Sequence, residues 1–147
     1  MRVLAVSSVA LATVLCSCGG SGQAPAGAAT QTWFEDDFEA ASAQASASGK
    51  PLLMDLYADW CGPCRTLSEE YFTDPSMQEL LGRFVLLRVD VDSEAGGPLA
   101  QRYAVDAIPC VVIAAADGTE YDRIVGVAPT VAAYKGQLEQ ILGELDR

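Results

Sequence analysis

Short apolar runs alternate with helix-periodic stretches along most of this chain. Residues 52–58 and 84–91 are short, mostly apolar runs, too short for helices and bounded by turn residues, so they read as buried strands. Residues 107–115 read as a third strand, beginning at a proline. Asp117-Gly118 is a hairpin signal, and Glu120–Val125 is the returning strand. Between these runs the spacing becomes helical. Phe34, Phe38, Ala41 and Ala45 predict a helix over 36–48, ended by Gly49 and Pro51. Helical character resumes after Cys61 and continues to Tyr71. Thr73-Asp74-Pro75 supplies an N-cap and a first-turn proline for a further helix to Arg83. A helix over 94–103 follows, starting near Gly96-Gly97-Pro98. Val131, Tyr134, Leu138, Ile141 and Leu145 form the apolar stripe of a closing amphipathic helix.

Strands that alternate with helices imply crossovers onto a parallel core, and the last two strands form an antiparallel hairpin. The predicted fold class is α/β, with a central mixed four-stranded sheet and helices on both faces.

The N-terminal residues follow another pattern. Met1-Arg2 precedes an apolar run over 3–15, then Cys16-Ser17-Cys18. One positive charge before about a dozen apolar or small residues is the form of an export signal. The run falls short of the roughly 20 residues a spanning helix needs. Leu15-Cys16-Ser17-Cys18-Gly19 resembles a bacterial lipoprotein cleavage site, with Cys18 as the lipidated residue. Cys16 fits less well, because Leu15 would directly precede it. An ordinary export signal cut elsewhere is the alternative. Residues 19–31 hold only Gly, Ala, Ser, Thr, Gln and one Pro, a composition that cannot bury a core. The expected organisation is a lipoprotein-type signal over 1–17, lipidated Cys18 and a flexible tether over 18–33, and a folded domain over 34–147. Lipid at Cys18 would anchor the protein to a bacterial membrane surface, facing the periplasm or the cell exterior.

Charge narrows the partners. Among 147 residues, 9 Lys+Arg stand against 20 Asp+Glu, a net charge of −11. Phosphate backbones need Lys and Arg, so nucleic acid is not an expected partner. No spare apolar face is evident, so a monomer is expected. There is no histidine. That removes His-assisted nucleophiles, His-ligated haem and His-containing zinc sites. Five cysteines remain to carry chemistry, and no cofactor is implied.

Trp60-Cys61-Gly62-Pro63-Cys64 follows a predicted strand and opens a predicted helix. Cysteines at this spacing can close a small disulfide ring. A helix start offers unpaired N–H groups and a partial positive charge, which favour a thiolate on Cys61. Cys61 is expected to be the exposed nucleophile, and Cys64, a turn further in, the shielded resolving thiol. Gly62-Pro63 restricts the turn, and proline is tolerated where first-turn N–H groups have no helical partner. A metal site would need two further ligands, and only Cys110 remains in the folded domain. A purely structural disulfide would leave the helix start unused.

With Asp55 and Ile108-Pro109, this motif makes residues 34–147 resemble the thioredoxin superfamily. The resemblance implies the thioredoxin-like fold. It implies that Asp55 is the buried carboxylate that assists proton transfer from Cys64. A strand-edge polar residue facing solvent is the alternative for Asp55, but the flanking Leu53, Met54, Leu56 and Tyr57 favour burial, which raises a carboxylate's pKa. It also implies a cis Ile108–Pro109 bond opposite the disulfide, leaving the Ile108 backbone free to pair with extended substrate. Trp60, Gly62, Pro63, Ile108 and Pro109 would then form the substrate-binding surface. Gly126 falls where the family has a glycine near that surface, although a plain turn glycine would look the same.

Lys50-Pro51, Tyr57-Ala58-Asp59-Trp60-Cys61 and Phe72-Thr73-Asp74-Pro75 carry a narrower resemblance. It is to the periplasmic C-terminal thioredoxin-like domain of DsbD-type thiol:disulfide interchange proteins. Gly62-Pro63 departs from that subfamily's bulkier pair and matches ordinary thioredoxin. This sequence carries no membrane-spanning electron channel, so a separate membrane electron donor of DsbD type is implied.

The expected function is therefore an extracytoplasmic thiol:disulfide oxidoreductase, a reductase that exchanges disulfides in exported proteins. Thioredoxin has a potential of about −270 mV and the oxidant DsbA about −120 mV. The superfamily's strong oxidants and isomerases usually carry a histidine between their cysteines, which is absent here. An oxidase or isomerase is the alternative within the class. A non-catalytic module, holding polypeptide on Trp60 and the Ile108-Pro109 groove, is the alternative outside it.

Other residues have two readings. Cys110, directly after Pro109, is either a small buried hydrophobe or a third thiol near the active pair. Arg65 either presents charge to solvent beside the site or favours the Cys61 thiolate. Whether Arg88 faces Asp55 depends on a register the sequence does not fix. Glu35-Asp36-Asp37-Glu39 reads as a solvated helix start.

Overall fold

The computed structural model describes residues 31–147. The expected export signal, Cys16, Cys18 and most of the expected tether lie outside the described residues.

The sheet has five strands, not four, in the order β1-β3-β2-β4-β5. The strands are β1 Trp33–Glu35, β2 Leu52–Tyr57, β3 Val85–Asp90, β4 Cys110–Ala114 and β5 Glu120–Val125. The additional strand is β1, which runs parallel to β3 and pairs Glu35 with Arg88. With only three residues it is too short to show alternation, and an acidic cluster follows it. Phe34 therefore lies on a strand rather than on the first helical stripe, and it still packs against the α1 side of the core. Trp33 packs against the other side, its ring 5.1 Å from that of Phe72. β2 and β3 are parallel, whereas β4 and β5 run antiparallel to their neighbours.

The helices lie where apolar spacing and caps put them. α1 spans Phe38–Ser48, starts at the Asp37 N-cap and ends at Gly49, whose φ of 68° suits a residue without Cβ. α2 spans Gly62–Thr66 and continues into one π-helical turn over Leu67–Tyr71. α3 spans Pro75–Leu81, capped by Asp74 with proline in its first turn. α4 spans Gly96–Arg102, and α5 spans Val131–Leu145, capped by Thr130.

Strand alternation divides the core in two. On one face Leu53, Leu86, Val111 and Ile113 pack against Leu67, Phe72, Met77, Tyr134 and Leu138. On the other, Leu52, Met54, Leu56, Cys110 and Val112 pack against Ala41, Ala45, Ala100 and Tyr103. The redox motif sits where β2 ends and α2 begins. Among the described residues no helix is long and apolar enough to cross a membrane.

Candidate active site

β2 delivers the chain to the site. Its last residue, Tyr57, accepts a hydrogen bond from Val91 N (2.9 Å), so the ends of β2 and β3 are fixed together. Cys61 then caps α2, and its Sγ accepts a hydrogen bond from Cys64 N at 3.2 Å. An N–H aimed at that sulfur favours negative charge on it once the disulfide is open. Pro63 stands in the first turn, where its missing N–H costs nothing.

Cys61 and Cys64 form a disulfide with their Cα atoms 5.3 Å apart. Cys61 was expected to be exposed, yet in this oxidised state it is only 4% exposed, against 1% for Cys64. Ala58, Tyr57, Val91 and Ile108 pack around the pair and cover it. Ile108–Pro109 is cis. Gly126 N donates to Pro109 O at 2.8 Å, and its φ of 82° is a conformation that favours glycine.

Asp55 is fully buried, with no hydrogen-bond partner on either carboxylate oxygen. The register places it beside Arg88, whose Nε stands 3.7 Å from Asp55 Oδ2. That distance pairs the charges but exceeds a hydrogen bond. The Arg88 guanidinium also lies over the Tyr57 ring, 4.0 Å from its centroid. Burial pushes the Asp55 pKa up to about 7, and the Arg88 charge opposes the rise without cancelling it. Tyr57, Asp59, Cys64, Arg65, Ser68 and Arg88 line a cleft of about 510 Å³, so Cys64 and the partner of Asp55 open onto one space.

Trp60 is 72% exposed, and its indole Nε1 donates to Asp92 Oδ2 at 2.7 Å. Cys110 is fully packed on the opposite face of the sheet from Asp55, among Met54, Leu56 and Val112. Burial pushes its thiol pKa up. The structure thus brings Cys61, Cys64 and Ile108 into one cluster, with cis-Pro109 next to Ile108, and leaves Cys110 out of it. Among the described residues no cluster of thiol and carboxylate groups could hold a metal ion.

Three contributors were not assigned from the sequence. Arg88 had a signal, since a cation inside the run Val85-Leu86-Leu87-Arg88-Val89 needs a partner. Asp92 had none, being 32 residues from Trp60. Asp36 belongs to the acidic cluster read as solvated. Asp37 does cap α1, accepting from Ala40 N at 2.9 Å, but the Asp36 carboxylate turns inward and bonds Asp90 N at 2.8 Å.

Comparison with known proteins agrees with this geometry. A profile of the thioredoxin-like family matches residues 33–116. The chain is 37% identical over 92 residues to the thiol:disulfide interchange protein DsbD 1 of Pseudomonas aeruginosa, covering 60% of this chain and 16% of that protein. It is 37% identical over 95 residues to a thioredoxin H-type of Oryza sativa subsp. indica, covering 63% of this chain and 70% of the relative. The solution structure of a thioredoxin from Thermus thermophilus superposes with a TM-score of 0.68 at 29% identity, covering 77% of this chain and 88% of the other. The chain spans only 14–18% of the length of the DsbD proteins it matches. With its sheet order, its disulfide at a helix start and a family match over more than half its length, the chain belongs to the thioredoxin-like family.

Proposed function

We propose that the protein is an extracytoplasmic thiol:disulfide oxidoreductase that reduces disulfides in exported proteins. In this reading it is a monomer held to a bacterial membrane by lipid on Cys18. The observation that carries the chemistry is the Cys61–Cys64 disulfide at the start of α2, with the buried Asp55 carboxylate on the adjoining strand. The likeness to DsbD proteins supports the extracytoplasmic setting and a separate membrane donor of DsbD type.

Turnover consists of two exchanges. The Cys61 thiolate attacks one sulfur of a substrate disulfide and expels the other, which takes up a proton. Asp55 accepts the proton of Cys64. The Cys64 thiolate then attacks Cys61 Sγ and expels the second substrate thiolate, which takes up the proton held on Asp55, and the Cys61–Cys64 disulfide closes. Two electrons have passed to the substrate, and a donor dithiol restores the pair. A carboxyl titrating near pH 7 can both accept and return a proton under these conditions. Trp60, Gly62, Pro63, Ile108 and Pro109 form the surface that meets the substrate polypeptide.

Replacement of Cys61 by Ser tests the chemistry. The expected result is loss of protein-disulfide reduction by the variant. A wild-type protein that binds polypeptide without turnover, with binding unchanged in the variant, would establish the non-catalytic module instead.

A further inference from the structure

Asp36 ends β1 in an unusual way. Its N–H donates to Arg88 O at 2.9 Å, which is the next rung of the parallel ladder after Glu35–Arg88. In such a ladder the Asp36 carbonyl would accept the following rung from Asp90 N. Here Asp36 adopts φ 53° and its carboxylate Oδ1 takes that bond at 2.8 Å. A side chain thus replaces the backbone carbonyl, and the backbone is free to turn at once into the Asp37 cap of α1. Asp and Asn tolerate this left-handed conformation, as glycine does.

The bond lies at one end of a continuous series. Asp90 Oδ1 accepts from Asp92 N at 3.0 Å, and Asp92 Oδ2 accepts from Trp60 Nε1 at 2.7 Å. The same stretch of β3 carries Arg88 against Asp55, and Asp90 pairs with Tyr57 at the end of β2. We propose that Asp36 is a positioning residue for the redox site: its carboxylate fixes the end of β3 and, through Asp90 and Asp92, holds the Trp60 indole on the substrate-facing surface. The edge strand that opens the domain is thereby tied to the surface that receives the substrate.

Three variants separate this role from simple folding. Asp36→Gly keeps the left-handed backbone and removes the acceptor. Asp36→Asn keeps both. Asp90→Ala leaves the Asp36–Asp90 N bond intact and removes the link to Asp92. The readouts are the Trp60 indole N–H resonance, amide exchange at Asp90, and reduction of insulin compared with a small aromatic disulfide. Asp36→Gly is expected to free the Asp90 amide, move the Trp60 resonance toward its solvent position and slow insulin reduction about fivefold, the worth of one lost hydrogen bond. Small-disulfide reduction stays within about twofold, because that substrate does not need the Trp60 surface. Asp36→Asn behaves as wild type, and Asp90→Ala moves Trp60 without freeing the Asp90 amide. An unmoved Trp60 resonance in both Asp36→Gly and Asp90→Ala would overturn the assignment, as would Asp36→Asn failing like Asp36→Gly. The insulin arm rests on the oxidoreductase reading. A wild-type protein inactive on both disulfides would remove that reading, while the resonance and exchange data still decide the role of Asp36.

Discussion

Asp55 and Cys110 occupy adjacent strands one register step apart, Asp55 opposite Val111 and Cys110 opposite Leu56, and neither is accessible to solvent. They face opposite sides of the sheet. Asp55 shares its face with Arg88, beside the cleft lined by Cys64. Cys110 points into side chains such as Met54, Leu56 and Val112. Strand alternation therefore decides which of two buried, chemically capable groups can join the redox centre. Burial alone separates nothing here. Direction does, and a one-residue slip in β4 would have put Cys110 on the active face.

The largest effect expected from this difference is on turnover. Cys61→Ser should lower protein-disulfide reduction on the order of 10³-fold or more, whereas Cys110→Ala should leave it within about twofold. A Cys110 variant that lost activity with its fold intact would join the two faces functionally and break the comparison. Next comes Asp55→Asn, which should slow turnover about 10²-fold near neutral pH, the usual contribution of a placed acid–base group. Steady-state rates from pH 5 to 9 should lose the wild-type inflection near pH 7 in this variant.

Stability sharpens the contrast further. The Asp55 pKa is near 7 in the fold against an ordinary 3.8, so the native state binds this proton more tightly than the unfolded chain. The cost of ionising the buried carboxyl is absent below the lower value, grows as pH rises between the two, and is fully present above pH 7. Asp55→Asn should then be more stable than wild type at pH 8 by roughly 2–4 kcal/mol, with the gain fading toward pH 4 in denaturant titrations. On the other face, Cys110→Ser should lose about 1–3 kcal/mol at every pH, because a hydroxyl enters hydrocarbon. The smallest effect is at Tyr134, whose buried hydroxyl has no hydrogen-bond partner. Tyr134→Phe should be neutral or gain up to about 1 kcal/mol by the same titrations.

Local pattern and long-range placement differed in how far the sequence revealed them. Apolar runs identified β2 through β4, Asp117-Gly118 identified the hairpin to β5, and the Asp74-Pro75 cap placed the start of α3. The cysteine pair followed from a motif of five residues, and the cis peptide from what the family resemblance implied for Ile108-Pro109. β1 escaped because three residues cannot display a period. The Asp55–Arg88 pairing escaped because composition does not set strand register. The Trp60–Asp92 and Asp36–Asp90 bonds join residues 32 and 54 positions apart, with no local signature at either end. The face of Cys110 followed only from the register of β4 on β2.

Whether the Cys61–Cys64 pair works as a reductant is decided most directly by its equilibrium potential against a thiol buffer, measured with Cys110 replaced by Ser. A value near that of thioredoxin, about −270 mV, is the expected result. A value at or above about −180 mV, where protein disulfide isomerase lies, would contradict it and assign the pair to oxidation or isomerisation.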